Sequence, residues 1–423
     1  FLKFLEFIGH KPEVYAQSTY RTARSSLELS GTLNQIKIAV SNFALDKTEV
    51  SGILGIKRDR RNAFFAALES ESINFDNYMP PLTSEEQKLP PLEQTKVILN
   101  KLKFLNDVDM HAELSLKLGI YNKVPFENTV LNFDSNAGVI DLKKFEIGQI
   151  GNASFALEGK VKDLGINPSL ENTKYKISTP DFNAFKNKLE IQLPAWPLFS
   201  LSRNFESEGI ISGTLNNANV RSSAKLDKTN ASYQGRLFTQ DDKLFFRGNL
   251  EIKTPDFVDF INQIDIDYNP TNVGTSIFTF KADVEGRSSN WRATNMDTFI
   301  GPNNFTGAFS YKKTDKLPII KANMEANMFE FDRFIFAPQR RIAPQVSKKQ
   351  NTFLNKPSWD STSMNYEPFK KFELNGKFAI KNLSYLNNDI ENVQFMLDIK
   401  NNTIDNSIVV VINIVNRNRT RHS

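Results

Sequence analysis

Hydrophobic and polar residues alternate with a period of two along much of the chain. Phe278, Phe280, Ala282 and Val284 alternate with Thr279, Lys281 and Asp283. Ala322, Met324, Ala326 and Met328 alternate with Asn323, Glu325 and Asn327, and Leu114, Leu116 and Leu118 alternate with Ser115 and Lys117. Successive side chains of a strand point to opposite faces, so the pattern predicts strands with one apolar and one wet face. Glycines recur at the ends of these stretches and predict short strands of about five to eight residues, about 17 to 26 Å long. One helical pattern interrupts them. Pro80-Pro81 and Pro90-Pro91 bracket an acidic, polar linker, after which Val97, Ile98, Leu102 and Leu105 give residues 92–105 the spacing of an amphipathic helix. A second linker with Pro, Lys and Gln runs from Ala337 to Pro368.

The alternating pattern is repeated. Phe1-x-x-Phe4, Phe75-x-x-Tyr78, Phe182-x-x-Phe185, Phe257-x-x-Phe260 and Phe331-x-x-Phe334 share an aromatic pair, with leading residues 74, 107, 75 and 74 apart. A unit of about 75 residues therefore recurs, and one copy carries an insertion of about 32. Ser30-Gly31-Thr32-Leu33-Asn34 returns as Ser212-Gly213-Thr214-Leu215-Asn216, and Leu45-Asp46-Lys47-Thr48 as Leu226-Asp227-Lys228-Thr229. Glycines keep the same phase at Gly52, Gly159, Gly235 and Gly307, and at Gly31, Gly213 and Gly286. Downstream of the two linkers Glu127-Asn128 matches Glu391-Asn392, Asp134 matches Asp398, and Ile140-Asp141 matches Ile404-Asp405, all offset by 264. Each aromatic pair follows a strand and a polar turn, which predicts a short helical turn that tucks two rings over the sheet; strand residues would also fit the spacing. The predicted organisation is a partial repeat over 1–79, a Pro-rich linker plus helix over 80–108, repeats over 109–336, a linker over 337–370, and a truncated repeat with a polar tail over 371–423. The chain reads as a fragment of a longer protein.

Composition sharpens the fold class. With 35 Phe against 3 Trp, and 45 Asn, the 423 residues favour strands and turns over helices. The expected class is mainly β: an elongated, twisted or curled repeat sheet that forms a groove, with a few short helices. About twenty strands at ~4.8 Å each would extend on the order of 95 Å. The net charge of +5 is spread without a basic stripe, so no nucleic-acid partner is expected. The longest apolar run, Ile408 to Val415, is interrupted by Asn413 and falls short of the ~20 residues a membrane helix needs.

Catalytic chemistry has little support. With no Cys there is no disulfide, thiol nucleophile or Cys-based zinc site, and the only histidines are His10, His111 and His422. Asp107, Asp109 and His111 alternate and could face one way at the start of a strand, but solvated polar residues at a helix-to-strand junction are the simpler reading. Polar-out alternation likewise accounts for Asp265 and Asp267. Neither Gly-rich phosphate loop occurs. No catalytic residue, metal site or cofactor is therefore expected.

Two blocks carry a family resemblance. The first runs from Tyr78-Met79-Pro80-Pro81 through the predicted helix, Leu105-Asn106-Asp107-Val108-Asp109-Met110-His111-Ala112-Glu113-Leu114-Ser115-Leu116, Val124-Pro125-Phe126-Glu127-Asn128 and Gly138-Val139-Ile140-Asp141-Leu142 to Leu157-Glu158-Gly159. The second comprises Trp359-Asp360, Phe369-Lys370-Lys371-Phe372-Glu373-Leu374-Asn375-Gly376, Ile390-Glu391-Asn392-Val393 and Asn401-Asn402-Thr403-Ile404-Asp405. With the S-G-T-L repeats they resemble, in the expected order, the AsmA family of Gram-negative envelope proteins. The resemblance implies a periplasmic protein held at the inner membrane by an N-terminal helix upstream of this sequence. It further implies a β-taco-like sheet with an apolar groove, related to TamB- and YhdP-type bridges that move phospholipid toward the outer membrane, and no catalytic residues.

A sheet with one apolar face must cover it, with a second layer or with something apolar from outside. On the second reading Leu114, Leu116, Leu118, Phe278, Phe280, Ala282, Val284, Ala322, Met324 and Ala326 line the groove, and phospholipid or another envelope lipid is the partner. Phe75, Phe182, Phe257 and Phe331 are then structural aromatics of the repeat. On the alternative reading the protein is a structural or interaction scaffold with a closed, dry core and no ligand.

Overall fold

A computed structural model describes residues 19–58, 63–78, 83, 85, 86, 89, 91–107, 109–165, 167–188, 204–241, 243–263, 276–334, 372–385, 388–400 and 403–405. Strands dominate them. They run β1 (Ala23–Thr32), β2 (Gln35–Leu45), β3 (Thr48–Lys57) and β4 (Ala63–Asn74), then a 3-10 turn Phe75–Asn77, helix α1 (Pro91–Lys101) and a second 3-10 turn Lys103–Asn106. Next come β5 (Asp109–Tyr121), β6 (Val124–Asn136), β7 (Val139–Ile150), β8 (Ala153–Lys162), β9 (Ser169–Thr179) and helix α2 (Phe182–Lys188). β10 (Phe205–Thr214), β11 (Asn217–Leu226), β12 (Thr229–Gln240), β13 (Lys243–Thr254) and helix α3 (Phe257–Gln263) follow. The described chain continues with β14 (Phe278–Arg287), β15 (Asn290–Ile300), β16 (Asn303–Lys312), β17 (Ile319–Glu330) and a 3-10 turn Phe331–Arg333. It closes with β18 (Glu373–Tyr385), β19 (Asn388–Lys400) and β20 (Thr403–Asp405).

The chain divides into two units, Phe1–Asn249 and Leu250–Ser423, with the dividing line inside β13. The helix that follows the Pro-rich stretch packs on the sheet of the first unit. In the first unit β1 to β12 form a ladder in chain order; in the second β14 to β20 do the same. Two of these pairings are parallel, β4–β5 and β17–β18, and the rest are antiparallel. A parallel pair needs a crossover of a dozen or more residues, whereas an antiparallel pair can close with a hairpin. In sequence both linkers fall between the two members of a parallel pair, and the first accounts for the 107-residue spacing between Phe75 and Phe182.

The strands are longer than the glycine pattern predicts, 10 to 13 residues for β1 to β19, or about 33 to 43 Å. Gly52, Gly159 and Gly307 lie inside strands with positive φ and do not end them, whereas Gly31, Gly213 and Gly286 stand one residue before a strand's end. Gly52 (φ +138°) shows why glycine is required: a Cβ there would stand 2.0 Å from the Ala67 carbonyl oxygen of the adjoining strand. Two matching turns are set by aspartate. Asp46 adopts φ 55° between β2 and β3, and Asp227 adopts φ 50° in the matching turn between β11 and β12. The Asp46 carboxylate also accepts hydrogen bonds from the amides of Tyr20, Arg21 and Thr22.

The aromatic pairs are short helical turns in all four described copies: two single 3-10 turns ahead of the parallel crossovers, and the seven-residue helices α2 and α3 after β9 and β13. Phe1-x-x-Phe4 lies outside the described residues. Asp181 caps α2 by accepting from the Ala184 amide, and Asp256 caps α3 by accepting from Val258 and Asp259, so the repeated Thr-Pro-Asp-Phe sequence is a helix start.

Candidate functional site

Cross-strand register shows which residues share a face. In the first unit one row of directly paired residues runs across twelve strands: Leu27, Val40, Gly52, Leu68, Leu114, Leu131, Phe145, Leu157, Tyr175, Gly209, Ser222 and Tyr233. Residues two positions away on each strand continue the same face, among them Leu116, Phe133, Ile147, Phe155 and Ile177. In the second unit a corresponding row joins Met296, Gly307, Met324, Phe378 and Phe395. The side chains of one row stand about 4.8 Å apart, close enough for neighbours to touch. Each unit therefore carries a continuous apolar surface.

Most of the proposed lining residues lie on it. Leu114 and Leu116 share the face with Ala112, which is buried. Phe278, Phe280, Ala282 and Val284 form one side of β14; Phe278, Ala282 and Val284 are buried, and Phe280 packs its ring edge-on to Phe309. Ala322, Met324 and Ala326 face the same way as Phe309, Gly307 and Phe305 of β16. Leu118 departs from this set. It is 36% exposed, whereas the next residue, Gly119, is buried. Opposite Lys117, Asn128 adopts φ 54° and interrupts the ladder between Leu116–Thr129 and Leu118–Glu127. An irregularity of this kind shifts which residues of a strand face inward. Met328 leaves the alternation at the matching place in β17 and is 44% exposed, while Phe329 turns in.

Helical segments cover the two ends of the strands. In the first unit Leu105, Ala112, Phe133, Ile140 and Leu164 form a buried cluster, with Leu99 and Leu102 packed on it, so α1 and the turn after it cover one end of β5 to β8. Ser135 donates to the Leu105 carbonyl and Asn106 to that of Leu164, fixing the turn in place. The aromatic turns sit at the other end. Phe75 stacks on Phe126 with centroids 6.1 Å apart, and the buried Phe182 lies 4.7 Å from Phe205. In the second unit Phe257 and Phe260 flank Phe278 at 5.5 and 5.0 Å. Phe331 touches Phe329 and Tyr385 but stays exposed.

The opposite face is charged. Lys174 pairs with Glu158 at 2.6 Å, Lys162 with Glu171 at 3.1 Å and Lys117 with Glu71 at 2.6 Å. A cleft of about 750 Å³ against β7 to β12 is lined by residues of both registers, Phe145, Leu157, Tyr175 and Ser222 of the apolar row and Glu158 and Lys174 of the charged one. His111 also lies on the charged face: Nδ1 lies 2.7 Å from Asp134 and Nε2 lies 3.5 Å from Glu113. The hydrogen bond to Asp134 is the main cause that raises the imidazole pKa above its usual value. Asp109 accepts from the Ala137 amide, so it holds a turn. No group of three or more His, Asp or Glu fit for a metal ion occurs among the described residues. Asp265 and Asp267 lie outside them.

Alternation along one strand could nominate β5, β14 and β17, but it could not find the rest of the face. Leu131, Phe145, Leu157, Met296 and Phe378 belong to it through pairing register, which depends on bulges the alternation does not display. No protein family, curated protein or solved structure matches this chain. Among the described residues no helix is long and apolar enough to cross a membrane.

Proposed function

We propose that the chain is a non-enzymatic cell-envelope protein that binds acyl lipid along the apolar face of its repeat sheet. Lipid transfer, and through it outer-membrane assembly or lipid homeostasis, is the role that the resemblance to the AsmA family suggests, with the periplasm as location and attachment to the inner membrane through a helix upstream. The observation that carries the reading is the apolar row of the first unit, which crosses eight successive strands from Leu27 to Leu157 without a polar side chain. Leu27 and Leu29, on that face, are 55% and 72% exposed. Apolar surface of this extent left in water is costly at about 25 cal/mol per Å², and hydrocarbon laid along it removes that cost.

A scaffold with a dry core is the second reading, favoured by the burial of Ala282, Val284 and Ala293. Mass spectrometry of lipid extracted from the purified chain tests the first reading, which expects acyl lipid in the extract. Phe280→Lys separates the two. On an open face the ammonium snorkels to water, the protein stays folded and photo-crosslinking to lipid nearby is lost. In a closed core the unpaired charge unfolds the unit, and that result overturns lipid binding there.

A further inference from the structure

The apolar row of the first unit ends in hydroxyl groups. After Leu157 the next face positions are Tyr175, Gly209, Ser222 and Tyr233, with Ser207 beside Gly209 on β10. The Tyr175 hydroxyl lies 2.6 Å from Ser222 Oγ and 3.3 Å from Ser207 Oγ. Its ring is held over Gly209, where a Cβ would stand 2.8 Å from Cε1. Three hydroxyls are thus gathered at one fixed point at the end of a row whose side chains are hydrocarbon from Leu157 back to Leu114 on β5.

We infer that this cluster receives the ester linkage of an acyl lipid whose hydrocarbon lies along the row toward β5; the inference rests on the lipid-binding reading above. The lengths agree. From Leu114 on β5 to Tyr175 on β9 there are four strand spacings, about 19 Å, the reach of an extended long acyl chain. The hydrogen bonding agrees as well. Ser207 Oγ donates to the Ser223 carbonyl at 3.2 Å, which leaves the protons of Tyr175 and Ser222 to be placed. When Tyr175 donates to Ser222 across the short contact, the Ser222 proton is free for an outside acceptor. An ester carbonyl is an acceptor with no proton of its own, and an ether-linked lipid lacks that carbonyl.

The test offers the purified chain an equimolar mixture of a diester phosphatidylcholine and its diether analogue in vesicles, re-isolates the protein, and quantifies both bound lipids by mass spectrometry. Wild type should enrich the diester about fivefold, the worth of one hydrogen bond of about 1 kcal/mol. Tyr175→Phe with Ser222→Ala should bring the ratio to one by lowering diester uptake to that of the diether, with circular dichroism unchanged, because the ring over Gly209 is kept. Lipid bound by wild type without preference, or a preference that survives in the double variant, overturns the inference. Wild type that takes up neither lipid overturns the lipid-binding reading itself, and this inference with it.

Discussion

The segments β4 to β6 of the first unit and β17 to β19 of the second are built alike and covered differently. Both contain a parallel pair whose first strand runs into an aromatic 3-10 turn, and both are interrupted at an asparagine with positive φ, Asn128 at 54° and Asn392 at 58°. In the first, the buried cluster sits beneath α1 and centres on Ala112 and Phe133. In the second, the described cluster is Ala326, Ile380 and Val393, packed by Phe305, Phe329 and Phe395 toward the aromatic turn. The 264-residue offset aligns Ile380 with Leu116 and Val393 with Thr129, and Thr129 Oγ1 is buried without a hydrogen-bond partner. The difference teaches that the ladder sets where apolar side chains point, while separate pieces of chain decide which end of the face is dry.

The largest way to break this comparison is Phe133→Ala against Leu397→Ala, its counterpart by the same offset. Loss of Phe133 beneath the helix should cost about 3 to 5 kcal/mol, and loss of the half-buried Leu397 less than about 2. Unfolding followed by hydrogen exchange in each unit measures both, and equal costs would mean that α1 is not what dries the first unit. Asn128→Ala and Asn392→Ala should each cost about 1 to 2 kcal/mol, since alanine adopts the left-handed conformation less readily. Unequal losses in denaturant melts would show that the two irregularities are not equivalent.

Thr129→Val gives the first unit the residue that the second already carries. It removes an unpartnered buried hydroxyl and should raise stability by about 1 kcal/mol; a lower melting temperature would count against the correspondence. The smallest effect is in pH. His111 has Asn375 as its counterpart, while Asp134 is matched by Asp398, so only the first unit carries the titrating pair. Because the folded-state pKa of His111 is raised, its contribution is full below the usual value near 6.5 and fades as pH rises through the folded value. Partial exposure keeps it under about 1 kcal/mol. Hydrogen exchange measured at pH 5.5 and 8 should show the loss in the first unit, and His111→Asn should abolish it.

Much of this was legible in the sequence. Period-two alternation, the recurring aromatic pair and the 264-residue offset are local or additive signals, and they specified strands, their repeat, the helical turns and the helix after Pro90-Pro91. Strand length was not legible, because a glycine that ends a strand and one that lets a neighbouring carbonyl approach look the same in sequence; Gly52 needed the position of Ala67. Nor could alternation place Leu118, whose side of the sheet changes at an irregularity contributed by Asn128 on another strand. The parallel pairings, the covering of Phe133 by α1 and the row that ends at the Tyr175 hydroxyl likewise joined residues far apart in the chain. The sequence by itself determined which residues alternate and how often the pattern returns, since each strand carries that information in its own side chains. Only the tertiary structure decided which strands lie side by side and which face is covered, because register and cover are properties of pairs of segments.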